Sequence, residues 1–323
     1  MDFSVCFYTF QTSNNRNVMT SFHTFREVSH LAYDRSRGGV ETGIREFIRL
    51  HVRLVPGSVV LVGSRPSVGR TTFLMHLFRN IHETSGEPQC FISNEDSREE
   101  IFLRMASILT GQRHTSWSKK KAEELPASHS LFSSDRDVIL SKRLSWEELK
   151  ADIETVIRET GIRVFYIDKF QGLFSSDRFN NRDQELGYII RDIRNFATDH
   201  GLVFCIASSL SRSVERREGK EPLLSDLRDT GSLEEFCDMV MLVHRPEIYG
   251  ITLDELGRSL VNYAEVILAK NRFGPTGRMK FAFNPQVPRF EEFVKHQEYD
   301  FVARFDQVTQ PKKKDEHDNE IPF

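Results

Sequence analysis

The chain has 323 residues, 39% of them hydrophobic and 28% charged, with a formal net charge of −3. That supplies enough apolar residues for one large buried core or two ordinary ones, and the near-balanced charge excludes indiscriminate attraction to nucleic acid while leaving room for a local basic surface. No apolar run approaches the roughly 20 residues that cross a bilayer, and the opening MDFSVCFYTFQTSNN lacks the basic segment of a secretory signal, so the expectation is a cytoplasmic protein without a membrane partner.

In chain order, residues 1–36 are a polar, Asn-rich stretch with a short helix predicted over 22–33, leading to the linker Ser36-Arg-Gly-Gly39. A main domain is expected over 37–295. There, short β-branched runs predict strands at 58–63, 89–93, 163–168, 202–207, 239–243, 263–269 and 278–283, alternating with amphipathic helices. Capping boxes at Ser97-Arg-Glu-Glu100 and Ser145-Trp-Glu-Glu148 open two of these helices, and a third is predicted over 184–199 with Leu186, Ile189, Ile190, Ile193 and Phe196 on one stripe. The alternation predicts an α/β fold with a doubly wound, mostly parallel sheet flanked by helices. Residues 296–323 read as a polar tail. The four cysteines, Cys6, Cys90, Cys205 and Cys237, lie far apart without metal spacing and are expected to be plain thiols.

The chemistry concentrates at GSRPSVGRTT, residues Gly63, Ser64, Arg65, Pro66, Ser67, Val68, Gly69, Arg70, Thr71 and Thr72. An apolar strand before it and an apolar helical run after it are the flanks of a phosphate-binding loop, in which backbone N–H groups and a helix N-terminus surround phosphate oxygens and glycines permit the tight wrap. Thr71 stands where a hydroxyl would serve Mg²⁺. Arg70 occupies the position usually held by lysine, and a planar guanidinium can pair with phosphate oxygens without occupying the same point as an ammonium. Taken alone, the stretch also fits an ordinary strand-to-helix turn. Two strand ends bear on the choice. Val164-Phe-Tyr-Ile-Asp168 ends in a carboxylate suited to a Mg²⁺-bound water, and Phe91-Ile-Ser-Asn-Glu95 ends in one suited to activating an attacking water. In a doubly wound sheet both emerge at the carboxyl edge, beside the glycine loop.

The ordered segments GSRPSVGRTTF, ISNEDSREEIFLRMAS, YIDKFQGL, SSLSRSVERREGKEPLLSDLRDTGSLEEFCDMVMLVHR and ILAKNRFGPTGRMKFAF resemble the C-terminal motor domain of DnaB-type replicative helicases, a RecA-like fold, over residues 37–293. The resemblance implies an ATP-driven DNA helicase or translocase on single-stranded DNA, a homo-oligomeric ring (usually a hexamer), and ATP with Mg²⁺ as cofactors. It further implies that Thr71 and Asp168 serve Mg²⁺, that Glu95 orients water, and that Gln171 links the nucleotide site to DNA. Lys270 and Arg272 would enter the neighbouring subunit's site. Arg212, Arg216, Arg217, Lys220 and Arg228 match a DNA-facing stretch, although their alternation with Glu215, Glu218 and Glu221 equally describes a solvated surface loop.

The chain departs from the family at Arg70, at Ser209 where the family carries a glutamine, and in having no counterpart of the N-terminal collar domain within the residues before 37. Both side-chain departures bear on the γ-phosphate, which leaves a second reading open: a nucleotide-binding adaptor that joins a helicase assembly without being a motor. Finally, Asp315-Glu-His-Asp-Asn-Glu-Ile-Pro-Phe323 resembles the acidic tip of bacterial single-stranded DNA-binding proteins, implying that Ile321, Pro322 and Phe323 dock on proteins that bind that tip, against the alternative of a solubilising tail.

Overall fold

The computed structural model describes residues 38–113, 124–125, 129–142, 144–227 and 231–292. The expected helix at 22–33, Arg228 and the tail with Ile321, Pro322 and Phe323 lie outside the described residues. The elements run α1 (Arg45–Arg49), β1 (Ser58–Ser64), α2 (Arg70–Ser85), β2 (Gln89–Ser93), α3 (Arg98–Thr110), β3 (Val138–Ser141), α4 (Trp146–Thr160), β4 (Val164–Asp168), α5 (Arg182–His200), β5 (Val203–Ser209), α6 (Gly231–Phe236), β6 (Met239–His244), β7 (Tyr263–Asn271), β8 (Gly277–Asn284) and β9 (Arg289–Glu292). The sheet order is β3-β2-β4-β5-β1-β6-β7-β8-β9. The strands from β3 to β6 are mutually parallel, and β7, β8 and β9 follow as an antiparallel meander.

Strand alternation divides the core between the two faces of the sheet. In β1, Val60 and Val62 face α2 and α3, packing with Phe73, Leu77, Ile101 and Met105. Val59 and Leu61 face the opposite cluster, with Trp146 and Leu149 of α4 and Ile189 and Ile193 of α5. A strand buried on both faces reads as a continuous apolar run, which is why 58–63 and 163–168 are legible without alternation. Both capping boxes form, Ser97 with Glu100 and Ser145 with Glu148, each serine accepting from the backbone N–H three residues on.

The short elements β3, β9, α1 and α6 have no counterpart in the sequence-based expectation. Each carries too few apolar residues to show a period. The cysteine expectation agrees with the structure at Cys90, Cys205 and Cys237, which are buried and free. Among the described residues no helix is long and apolar enough to cross a membrane.

Behind the glycine loop of residues 63–69, His76 of α2 is 3% exposed and packs between the rings of Phe73, Phe281 and Phe290. Neither ring nitrogen has a hydrogen-bond partner. Burial, and secondarily the nearby Arg79 guanidinium, push its pKa down to about 3. The imidazole is therefore neutral in the folded protein, and its contribution to stability is complete above the ordinary histidine pKa of about 6.5 and is lost as pH falls from there towards about 3. The expected outcome is that urea titrations between pH 7 and pH 5 show a slope from this group approaching about 1.4 kcal/mol per pH unit, and that His76→Leu has a shallower pH dependence over the same interval.

Candidate active site

The loop between β1 and α2 is held by its backbone. Gly69, which precedes the helix, has φ 112, a conformation that disfavours any side chain. A Cβ there would also lie 3.3 Å from the Phe283 ring. The first-turn N–H groups of α2 have no carbonyl partner within the helix and face the loop, the arrangement that accepts an anion. Thr71, in that first turn, donates from its hydroxyl to Asp168 Oδ2 at 2.6 Å. Register explains the meeting: β5 alone separates β1 from β4, and all three strands end at the same rim, with Ser64 beside Ser209 and Ile167 beside Ile206.

Asp168 is almost completely buried, and its Oδ1 has no hydrogen-bond partner. Burial raises its pKa against the opposing pull of the Arg70 guanidinium, 3.7 Å away, and the Thr71 hydroxyl. A buried carboxylate oxygen without a partner, beside a threonine hydroxyl, is the hard oxygen set that suits Mg²⁺, which takes one or two carboxylates and completes its shell with phosphate and water oxygens.

Arg70 reaches across the rim instead of extending along the loop. Its Nη1 donates to Ser209 Oγ at 2.9 Å, while Nε is buried without a partner. Ser209 in turn donates its backbone N–H to Gln171 Oε1 at 3.1 Å, and Gln171 Nε2 donates to Ser208 Oγ at 2.9 Å. The structure thus gathers Arg70, Ser209, Gln171 and Asp168 at the end of β5.

Glu95, just past β2, reaches the same rim and is ion-paired with Lys169, the residue after Asp168. Asn94 locks this corner: its backbone N–H donates to the Asp168 carbonyl at 3.0 Å, its side-chain amide donates to the Lys169 carbonyl at 2.8 Å, and its Oδ1 accepts from the Lys169 N–H at 3.0 Å. The Asp168–Lys169 peptide bond is cis. Lys169 and Asn94 escape a reading of the sequence because a lysine beside a strand end has no spacing that distinguishes it. A cleft of about 550 Å³ opens beside the loop, walled by Phe283, Pro285, Pro288 and Ile248 in addition to loop residues. The Arg245 guanidinium lies 3.5 Å from the Phe283 ring centroid and stiffens that wall.

Lys270 and Arg272 stand elsewhere. Asn271 of β7 is level with Met239 of β6, which is level with Val60 near the start of β1. They therefore lie at the amino edge of the parallel strands, about 13 Å along the strand axis from where the loop leaves β1. Arg272 contacts the buried Asp238 at 3.4 Å, and Lys270 donates to the Glu234 and Glu235 carbonyls near the end of α6. Burial and the neighbouring Arg272 lower the Lys270 pKa.

Of the residues expected to face DNA, Arg212 and Arg216 are exposed on one turn of 3₁₀ helix anchored by the buried Val214, and neither forms an ion pair among the described residues. Arg217 and Lys220 have partners inside the loop. Arg217 forks onto Asp226 at 2.9 and 3.0 Å, and Lys220 donates to the Glu215 carbonyl at 2.7 Å. Burial favours the neutral form of Asp226, but Arg217, the Leu223 N–H and the Ser213 hydroxyl outweigh it and hold its pKa below the usual range. Composition marks such residues as basic but is blind to the acid each one meets, so Arg217 acts in this structure as a fastener of the loop.

Residues 39–292 match the family described as DnaB-like helicase C terminal domain. The replicative DNA helicase DnaB of Haemophilus influenzae is 30% identical over 275 residues, which is 81% of this chain and 57% of that protein. The replicative DNA helicase DnaC of Bacillus subtilis is 28% identical over 284 residues, 84% of this chain and 59% of that one. The chain therefore spans rather more than half the length of these curated relatives. Among solved structures, a DnaB-like replicative helicase described with its interactions with primase superposes with TM-score 0.72 at 24% identity, covering 85% of this chain and 68% of that chain. A second solved structure, described as an ATPase domain, superposes with TM-score 0.71 at 24% identity, covering 85% of this chain and all of that one. At that identity these superpositions speak for the fold, a RecA-like sheet. With the match running through both strand-end carboxylates and the glycine loop, the chain belongs to the DnaB-like helicase C-terminal domain family.

Proposed function

We propose that this chain is a nucleotide-driven motor that hydrolyses ATP with Mg²⁺ and moves along single-stranded DNA as a homo-oligomeric ring, usually a hexamer, in the cytoplasm. The observation that carries the reading is the Thr71–Asp168 hydrogen bond, at 2.6 Å, between the turn that binds phosphate and the carboxylate that serves the metal. In this reading the amides of residues 64–72 cradle the triphosphate, and the wall of Phe283, Pro285 and Pro288 holds the base. Thr71 and Asp168 would hold Mg²⁺, which would neutralise charge on the phosphate oxygens. Glu95 accepts the proton of the attacking water once Lys169 yields it. Gln171 reports the state of the rim to the loop that follows β5.

Because Lys270 and Arg272 lie at the opposite edge from their own loop, they fit a role in the neighbouring subunit's site, where cationic side chains stabilise developing charge. Arg212 and Arg216, with Arg228, supply the DNA-facing cations, and affinity should fall with salt. The acidic segment ending Ile321-Pro322-Phe323 adds, in the same reading, a docking element for proteins that bind such tips. The adaptor alternative is less favoured, since Glu95, Asp168, Thr71 and Gln171 are all retained with partners at one rim.

The direct test is ATP turnover with and without single-stranded DNA. Glu95→Gln is expected to lower kcat by roughly 10² to 10⁴ while nucleotide still binds; unchanged turnover would remove Glu95 from the mechanism. Asp168→Asn keeps the size of the side chain but removes the charge beside Thr71, so the rise in melting temperature on adding Mg²⁺ and ATP is expected to be largely lost in this variant; a rise equal to that of wild type would remove Asp168 from the metal site. For Arg70, whose guanidinium has its own acceptor in Ser209, alanine is expected to reduce turnover by about 10²-fold and lysine to reproduce it within a small factor. A large gain on Arg70→Lys would mean that the rim had not adapted to arginine. Finally, subunits carrying Lys270→Ala with Arg272→Ala are expected to recover turnover when mixed with Glu95→Gln subunits, because each mutant supplies what the other's interface lacks; mixtures no more active than either parent would place the two cations outside the shared site.

A further inference from the structure

Among the described residues, three ion pairs tie the loop of residues 212–227 to its surroundings or to itself. Arg217 grips Asp226 within the loop, and Arg278 on β8 pairs with Glu221. The third comes from the phosphate loop. Arg65 directs both Nε, at 2.7 Å, and Nη2, at 2.6 Å, to Glu215 Oε1, while its Nη1 donates to the Leu210 carbonyl at 2.9 Å. Arg65 also lines the cleft beside Arg70 and Thr71, and its side chain is only 12% exposed. Glu215 sits on the same single helical turn as the exposed Arg212 and Arg216.

We propose that Arg65 and Glu215 are a positioning pair that couples occupancy of the nucleotide cleft to the placement of Arg212 and Arg216 against DNA phosphates. The proposal rests on the motor reading above and deepens it. A side chain that borders the phosphates and at the same time grips the turn carrying the cations is a mechanical link. Any resettling of residues 64–67 around a triphosphate moves the guanidinium, and Glu215 with the turn follows it. An anionic phosphate near Arg65 also competes with Glu215 for the same cation, so the pair has two arrangements that nucleotide can bias, which is what a coupling between sites requires. The Leu210 carbonyl, held by the same guanidinium, extends the link to the end of β5, where Gln171 and Arg70 also converge.

The pair predicts a specific failure in Glu215→Gln. That change keeps size and a hydrogen-bond acceptor but removes the charge, and Glu215 is exposed enough for the fold to tolerate it. The experiment measures binding of a fluorescein-labelled oligothymidylate by the full chain at fixed salt, with and without saturating Mg²⁺ and a non-hydrolysable ATP analogue. Wild type is expected to change its DNA affinity on adding nucleotide by about fivefold or more, Glu215→Gln to bring that ratio close to one, and Glu215→Asp to restore part of it. A purely structural pair would weaken both affinities and leave their ratio intact. If Glu215→Gln keeps the wild-type ratio, or if wild type binds both ligands independently, the pair is not a coupling device while the motor reading stands. If wild type binds neither ligand, the motor reading fails and takes the pair with it.

Discussion

The hydrogen bond between Thr71 and Asp168 depends on a constraint that governs the rest of the molecule: parallel strands deliver their carboxyl ends to one rim. Because β1, β5, β4 and β2 all run the same way, the loop after β1, the Ser208–Ser209 end of β5, Asp168 at the end of β4 and Glu95 after β2 are neighbours although they span more than a hundred positions of sequence. The two apolar faces of the sheet and the helices that cover them keep water from the strands, and water exclusion makes the few polar contacts at the rim electrostatically strong. Buried polar atoms without hydrogen-bond partners at that rim, Asp168 Oδ1 and Arg70 Nε, mark the place where ligand atoms would complete the network.

The antiparallel extension serves the same rim differently. β8 and β9 bring Phe281 and Phe290 against Phe73 and His76 of α2, and Phe283 against Phe290, so the helix that begins at the glycine loop is packed from behind by aromatic rings. Phe283 reaches through to the cleft, where it carries Arg245. The meander also runs Lys270 and Arg272 back to the opposite edge, so one hairpin contributes a wall to its own cleft and cations to the far side of the molecule.

Most of the rim is legible in the sequence because its parts obey strong local rules. A glycine loop between an apolar strand and a helix, two strands ending in carboxylates, and serine caps followed by glutamate three residues on are each fixed by short-range chemistry, and the parallel topology follows from their alternation. What is not legible has a different origin. The edge strands at 138–141 and 289–292 carry only a few apolar residues and owe their pairing to the strand beside them. Lys169 and Asn94 acquire their roles only through a turn that brings them face to face, and Arg217 reads as a free cation until Asp226 is placed beside it. Arg65 is visible as a member of the glycine loop, but its partner Glu215 lies far along the chain and is one acid among several in a mixed-charge loop. Arg70 with Ser209 is the reverse case: two departures from the family pattern, seen separately in sequence, are joined in the structure by one hydrogen bond.

Thermal melting of the purified chain during a titration with ATP, in the presence of Mg²⁺ and again with Mg²⁺ chelated, reports whether the rim grips a magnesium-bound triphosphate. A ligand gripped only by the folded rim raises the melting temperature in proportion to RT ln(1 + [L]/Kd), so the expected result is a rise that grows with each tenfold increase in ATP and is largely lost on chelation. A melting temperature that stays constant up to millimolar ATP with Mg²⁺ present would contradict it.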